Sequence, residues 1–128
     1  MDGLNNNYRR VCRITTVKEI ILNQSQLDIL AEHAMKSGQD ESCAMLLGIQ
    51  KEEQWNVKEI FLTKNVDGNP EVEFTISPEE LLAGYKHAEE KHLELVGIFH
   101  SHPKSIALPS NTDRKFMGLN GDVPWIIF

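Results

Sequence analysis

The chain has 128 residues, of which 41% are apolar and 25% charged, the balance of a single globular domain that buries a core without disulfides or a structural metal. A formal net charge of −6, with Lys and Arg scattered along the chain, argues against nucleic acid and acidic membrane surfaces as partners. Cys12 and Cys43 form no C-x-x-C pair, no apolar run reaches the about 20 residues of a membrane span, and residues 1–8 lack the apolar stretch of a signal peptide, so the expected compartment is the reducing cytoplasm.

Residues 1–9 are Asn-rich and polar and are expected to form a disordered tail ahead of one domain over residues 10–128. β-Branched residues over 10–22 predict one or two short strands. Leu27, Leu30, Ala31, Ala34 and Met35 recur at helical spacing, with Ser25-x-x-Asp28 as a capping-box start and Gly38 as a stop. Residues 43–49 (CAMLLGI) are a continuous apolar run, the pattern of a strand buried on both faces, and residues 55–62 read as its return. Residues 63–71 (TKNVDGNPE) are turn-forming, and Val72, Phe74 and Ile76 alternate with polar neighbours as in a half-exposed strand. Ser77, Pro78 and Glu80 mark the start of a second helix whose apolar face is Leu81, Leu82, Tyr85 and Ala88. Residues 93–99 form a further strand, Ser110 caps a short helix, and residues 123–128 (VPWIIF) form a last strand. The chain stops at the end of that strand, as a truncated domain would. Strands mixed with helices predict an α/β (α+β) domain built on a mixed sheet with helices packed on it.

The chemistry concentrates in His100-Ser101-His102-Pro103 and Ser110-x-x-Asp113. On an extended strand, residues 100 and 102 project from one face, so two imidazoles can share one ion. Pro103 keeps His102 extended and ends the strand. Asp113, at a helix start, can swing back as a third ligand. Two imidazoles and one carboxylate leave a fourth zinc position open, the pattern of a catalytic site; structural zinc usually has four protein ligands, often Cys. Water in that position would ionise near neutral pH and would need a base outside the metal shell. Glu41, just ahead of the buried strand, is the candidate. Ser110 could steady an oxyanion or only cap its helix.

Each fragment has a plainer reading. H-x-H is weak alone in a chain with five histidines, and Ser110-x-x-Asp113 also fits a helix cap. The whole pattern H-x-H-x7-S-x2-D, however, is expected by chance in on the order of one sequence in 2,000 of this composition, which favours the combined reading. His33, His87 and His92 read as ordinary surface or boundary histidines, Cys43 as a buried inert thiol, and Trp55 and Trp125 as core or boundary aromatics.

Glu41, the HSHP segment and Ser110-x-x-Asp113 together resemble the complete signature of the JAMM (MPN-plus) metallopeptidases. The segment 41–48 (ESCAMLLG), Asn65, residues 74–80 (FTISPEE) and VGIF before His100 resemble family features in family order, over roughly residues 10–128. The resemblance implies the MPN fold, a curved mixed sheet flanked by helices and similar to cytidine deaminases. It implies one catalytic zinc ion on His100, His102 and Asp113, with Glu41 as general acid/base and Ser110 stabilising the intermediate. The implied substrates are peptide or isopeptide bonds after the C-terminal Gly-Gly of ubiquitin-like β-grasp proteins or sulfur carriers. Separately from the resemblance, the turn-rich segment 63–71 is the expected place of substrate contact, where such a tail could lie as an added strand. Ala44 stands where many relatives have Gly, and the chain lacks room for large ubiquitin-reading insertions, which points to a minimal, prokaryote-like member. Two other readings are a non-catalytic MPN scaffold for protein assembly and a DNA-repair-associated domain with a similar motif. The complete ligand set disfavours the first and the acidic balance the second.

Overall fold

The structure, a computed structural model, describes residues 11–12, 19–103, 113 and 125–127. The expected tail at 1–9, Ser110 with the helix start it would cap, and the side chain of Trp125 lie outside the described residues. Two short strands, β1 (Val11–Cys12) and β2 (Glu19–Ile21), precede helix α1 (Gln24–Lys36). Strands β3 (Cys43–Lys51) and β4 (Gln54–Thr63) follow, then helix α2 (Pro78–Glu90), β5 (Glu94–His100) and β6 (Trp125–Ile127). The strands form one mixed sheet in the order β1-β6-β5-β3-β4-β2. The β3–β4, β3–β5 and β1–β6 pairs are antiparallel, and β2–β4 and β5–β6 are parallel.

The apolar run at the start of β3 reflects its place between β4 and β5. Successive side chains point to opposite faces. Ala44 and Leu46 join Leu27, Leu30, Val96 and Phe99 in a core on the α1 side. Met45 and Leu47 join Ala88 of α2, with Leu81 and Ile98 packed against them, on the other side. The expected mixed sheet flanked by helices is therefore what this sequence builds.

Three local expectations are corrected. The capping box of α1 is Asn23 with Gln26, not Ser25 with Asp28: Asn23 Oδ1 accepts from Gln26 N at 2.8 Å, and Asn23 N donates to Gln26 Oε1 at 2.9 Å. The earlier start lets the buried Gln26 amide also donate to Val57 O on β4, at 2.9 Å. On α2, Ser77 and Pro78 start the helix as expected, but its buried face is Gly84 and Ala88, while Leu82 is 63% exposed. Gly84 lets the helix axis come close to Met45, so the larger side chains fall to the flanks. Residues 72–76 form no strand. Their backbone reaches Val66 through one bond, Val66 N to Thr75 O at 2.9 Å; Val72 N and Glu73 N donate to Asn69 O, and Glu73 O and Thr75 N bond to the Asn65 side chain.

Candidate functional site

The β3–β5 register builds the site. Cys43 pairs with His100, and the next rung continues beyond both strands, with Ser101 N donating to Ser42 O at 3.0 Å. Extended one step further, the same register sets Glu41 opposite His102. Residues 100 and 102 share one side of the extended chain, and both imidazoles are buried.

His100 Nε2 and His102 Nε2 lie 2.9 Å apart, and Asp113 Oδ2 is 3.0 Å from each. With Asp113 ionised, no placement of protons suits all three contacts of this triangle. An N–H on each ring serves the carboxylate but sets two donors against each other, whereas a single N–H leaves a lone pair facing a carboxylate oxygen. A cation at the centre removes both conflicts. Donors about 2.0–2.1 Å from a tetrahedral zinc ion lie about 3.3 Å apart, so the triangle needs only a slight opening to accept one. Burial lowers the His100 pKa against the opposing effect of Asp113, a shift toward the neutral imidazole that a metal ion requires.

Glu41 stands beside this triangle. Its Oε2 is 3.8 Å from His102 Nε2, and its carboxyl is 5% exposed. One ligand atom each from Glu41, His100 and His102 lies within 4.8 Å of the others, so these three are also placed to bind a metal ion. The distances separate the two carboxylates: Asp113 Oδ2 touches both imidazoles, whereas Glu41 stands off by nearly another ångström. Among the described residues, Glu41 Oε1 is buried without a hydrogen-bond partner. Burial pushes the Glu41 carboxyl up to about 7; His102 opposes the rise, and Asp113, Asp67 and Glu73 add to it. A carboxyl titrating there can both take and give a proton near neutral pH.

Three neighbours were not identified as site residues from the sequence. The Phe74 ring stacks on His100, with centroids 4.6 Å apart and planes at 24°. Ser101 is hydrogen-bonded to Ser42 through backbone and side chain. Asn65 donates to Glu41 O and Glu73 O, both at 2.9 Å, and accepts from Asp67 N and Thr75 N. Glu41 N in turn donates to Pro70 O at 2.7 Å. Segment 65–75 thus grips the Glu41 backbone and lays an aromatic ring on His100. All three lie in segments that carry the family resemblance, but no pattern in the sequence assigned them these contacts.

The other histidines lie elsewhere. His33 Nε2 donates to Cys43 O and Thr63 O, at 2.9 and 3.1 Å, and ties α1 to the sheet. His87 Nε2 is 2.7 Å from Glu59 Oε1. No helix among the described residues is long and apolar enough to cross a membrane.

Comparison with known proteins agrees with this geometry. The chain is 37% identical over 93 residues to a protein of Pyrococcus furiosus named Desampylase, a match covering 73% of this chain and 62% of that protein. It is 38% identical over 72 residues to a probable TtuB-protein conjugate cleaving protease of Thermus thermophilus, covering 56% of this chain and 47% of that protein. The chain thus spans roughly half to three-fifths of these relatives. The solution structure of protein DSY2949 from Desulfitobacterium hafniense superimposes with a TM-score of 0.75 at 25% identity, over 85% of this chain and 72% of that one. The family of prokaryotic homologs of the JAB domain matches residues 23–128. The chain belongs to that family, the prokaryotic branch of the JAMM group that its motif resembles.

Proposed function

We propose that this chain is a zinc-dependent peptidase or isopeptidase that hydrolyses the bond after the C-terminal Gly-Gly of a small ubiquitin-like or sulfur-carrier protein. The observation that carries the proposal is the His100–His102–Asp113 triangle with the Glu41 carboxyl beside it. The two relatives support the substrate class, since one is named as a desampylase and the other as a probable protease of protein conjugates.

His100, His102 and Asp113 would hold one zinc ion, with Glu41 left outside its shell as the proton carrier. The ion, when bound, supplies Lewis acidity, making water nucleophilic near neutral pH and polarising the scissile carbonyl. Glu41 takes the proton from the attacking water and returns it to the leaving amine, a task suited to a carboxyl titrating near 7. Ser110 donates to the developing oxyanion, a role that rests on the sequence motif. The substrate tail lies beside residues 63–71, where Val66 and the nearby Val72 are exposed. The sparse cysteines support a cytoplasmic setting.

Metal analysis paired with cleavage of a β-grasp fusion ending in Gly-Gly tests the proposal. Glu41→Gln is expected to retain the metal and to lose about 10²–10⁴-fold in rate. His100→Ala is expected to lose both metal and cleavage. Wild-type rates in the Glu41 variant would remove its assigned role. A metal-loaded wild type that cleaves no such fusion would favour the scaffold reading.

A further inference from the structure

Ser101 lies between the two imidazoles, yet its hydroxyl turns away from them. It is 5% exposed, and Ser42, directly after Glu41, is 1% exposed. In a regular antiparallel ladder, a hydrogen-bonded pair exchanges two backbone bonds. Here only one is backbone to backbone, Ser101 N to Ser42 O at 3.0 Å. The return bond from Ser42 N goes to the Ser101 hydroxyl, at 2.9 Å, and the two hydroxyls lie 2.9 Å apart. The Ser101 side chain therefore replaces its own carbonyl in the rung. The chain can then leave the sheet toward Pro103 while the residue after Glu41 stays tied to the residue between the histidines.

We infer that Ser101 is a positioning residue that sets Glu41 against the two histidines by holding Ser42 through its hydroxyl. This rests on the peptidase reading above. Among the described residues the Glu41 carboxyl makes no hydrogen bond that would fix it, and one of its oxygens is buried without a partner. Its placement therefore depends on its backbone. Pro70 O and the Asn65 amide hold that backbone from one side. The Ser42–Ser101 pair holds it from the side of the histidines. A misplacement of about 1 Å at a reacting group can cost about 100-fold in rate.

The test compares Ser101→Ala, Ser101→Val and Ser101→Thr, alone and in a Glu41→Gln background. Thr and Val have nearly the same shape, and only Thr keeps the hydroxyl. The Ala and Val variants are expected to lose about 10–100-fold in kcat on a Gly-Gly fusion, with KM within about twofold and metal content unchanged. Thr should restore most of the rate. In the Glu41→Gln background the same substitutions should cost less than about threefold, because the step that depends on Glu41 is already lost. Equal losses in both backgrounds would overturn the inference, as would a Val variant as fast as Thr. Hydrogen exchange of the Ser42 amide, read by NMR, gives a result independent of turnover. Protection should fall in Val and Ala and persist in Thr, and retained protection in Val overturns the tether. A wild type that cleaves no fusion sinks the peptidase reading and the catalytic consequence together, while amide exchange still reports on the tether.

Discussion

Cys43 stands two residues from Glu41, and its surroundings keep its thiol out of the chemistry. The residue is fully buried, its Sγ–H points to Lys64 O at 3.6 Å, and Thr63 Oγ1 donates to Cys43 O at 3.0 Å. Burial pushes the thiol up to about 11; a hydrogen bond from Thr63 opposes the rise, and the charges of Glu80 and Glu41 add to it. Because the folded-state value is the higher one, this group favours the fold below its unfolded pKa, about 8.5, and that contribution is lost as pH rises toward 11. A shift of this size makes the thiolate fraction at pH 8 about 100-fold smaller than for a free thiol, so iodoacetamide should label Cys43 about 100-fold more slowly in folded than in urea-unfolded protein. Labelling of the native protein at the free-thiol rate, followed by mass spectrometry, would contradict this account. The buried thiol was legible in the sequence because it opens an apolar run. So was the meeting of His100, His102, Asp113 and Glu41, because alternation along a strand and a recognisable motif both point to it. Phe74 and Ser101 were not. A ring stacked on His100 and a hydroxyl replacing a carbonyl depend on how distant segments meet, which a local pattern does not encode.

Among the elements, the strands and helices with strong periodicity fell where the pattern put them, and the misread segment is instructive. Val72, Phe74 and Ile76 alternate as a strand would, but their backbone has almost no strand to pair with. Asn65 bonds Glu73 O and Thr75 N with one side-chain amide, a feature with no period in the sequence. A related limit applies to glycines, whose reasons lie in the partner element. Gly48 sits where the register shifts between β3 and β4, and a Cβ there would run into Asn56 O, a backbone atom. At Gly84 a Cβ would meet the Met45 side chain, at 2.7 Å from Cε. A thioether can rotate away, and alanine is worth about 1 kcal/mol over glycine in a helix. Gly48→Ala should therefore cost about 3 kcal/mol or more, whereas Gly84→Ala should stay within about 1 kcal/mol of the parent. Urea unfolding of both variants checks the order, and a reversed order would mean that the contact across β3 and β4 yields more readily than a helix–sheet contact.

Across the whole molecule, the site is a junction between parts of the chain that the sheet alone does not join. His100 ends β5 in the middle of the sheet, His102 lies just past it, and Asp113 comes from a segment beyond Pro103. Two buried imidazoles and a carboxylate oxygen crowd within 3.0 Å at this junction. A divalent ion would turn the same crowding into a cross-link present in the folded chain and absent from the unfolded one. Binding to the folded state alone adds about 2.7 kcal/mol at a free metal concentration 100 times Kd. For a domain of this length that corresponds to a rise in melting temperature of about 10 °C. Zinc should therefore raise the melting temperature of chelator-treated protein by about that much, with the rise growing as zinc is increased. Asp113→Ala and His102→Ala should abolish most of the shift. Glu41→Gln should preserve it, because Glu41 lies outside the triangle and loses only its charge. If Glu41→Gln abolished the shift while Asp113→Ala kept it, the two carboxylates would have exchanged places as ligand and base. Calorimetric melts of the four proteins with and without zinc decide between these assignments without any assay of turnover.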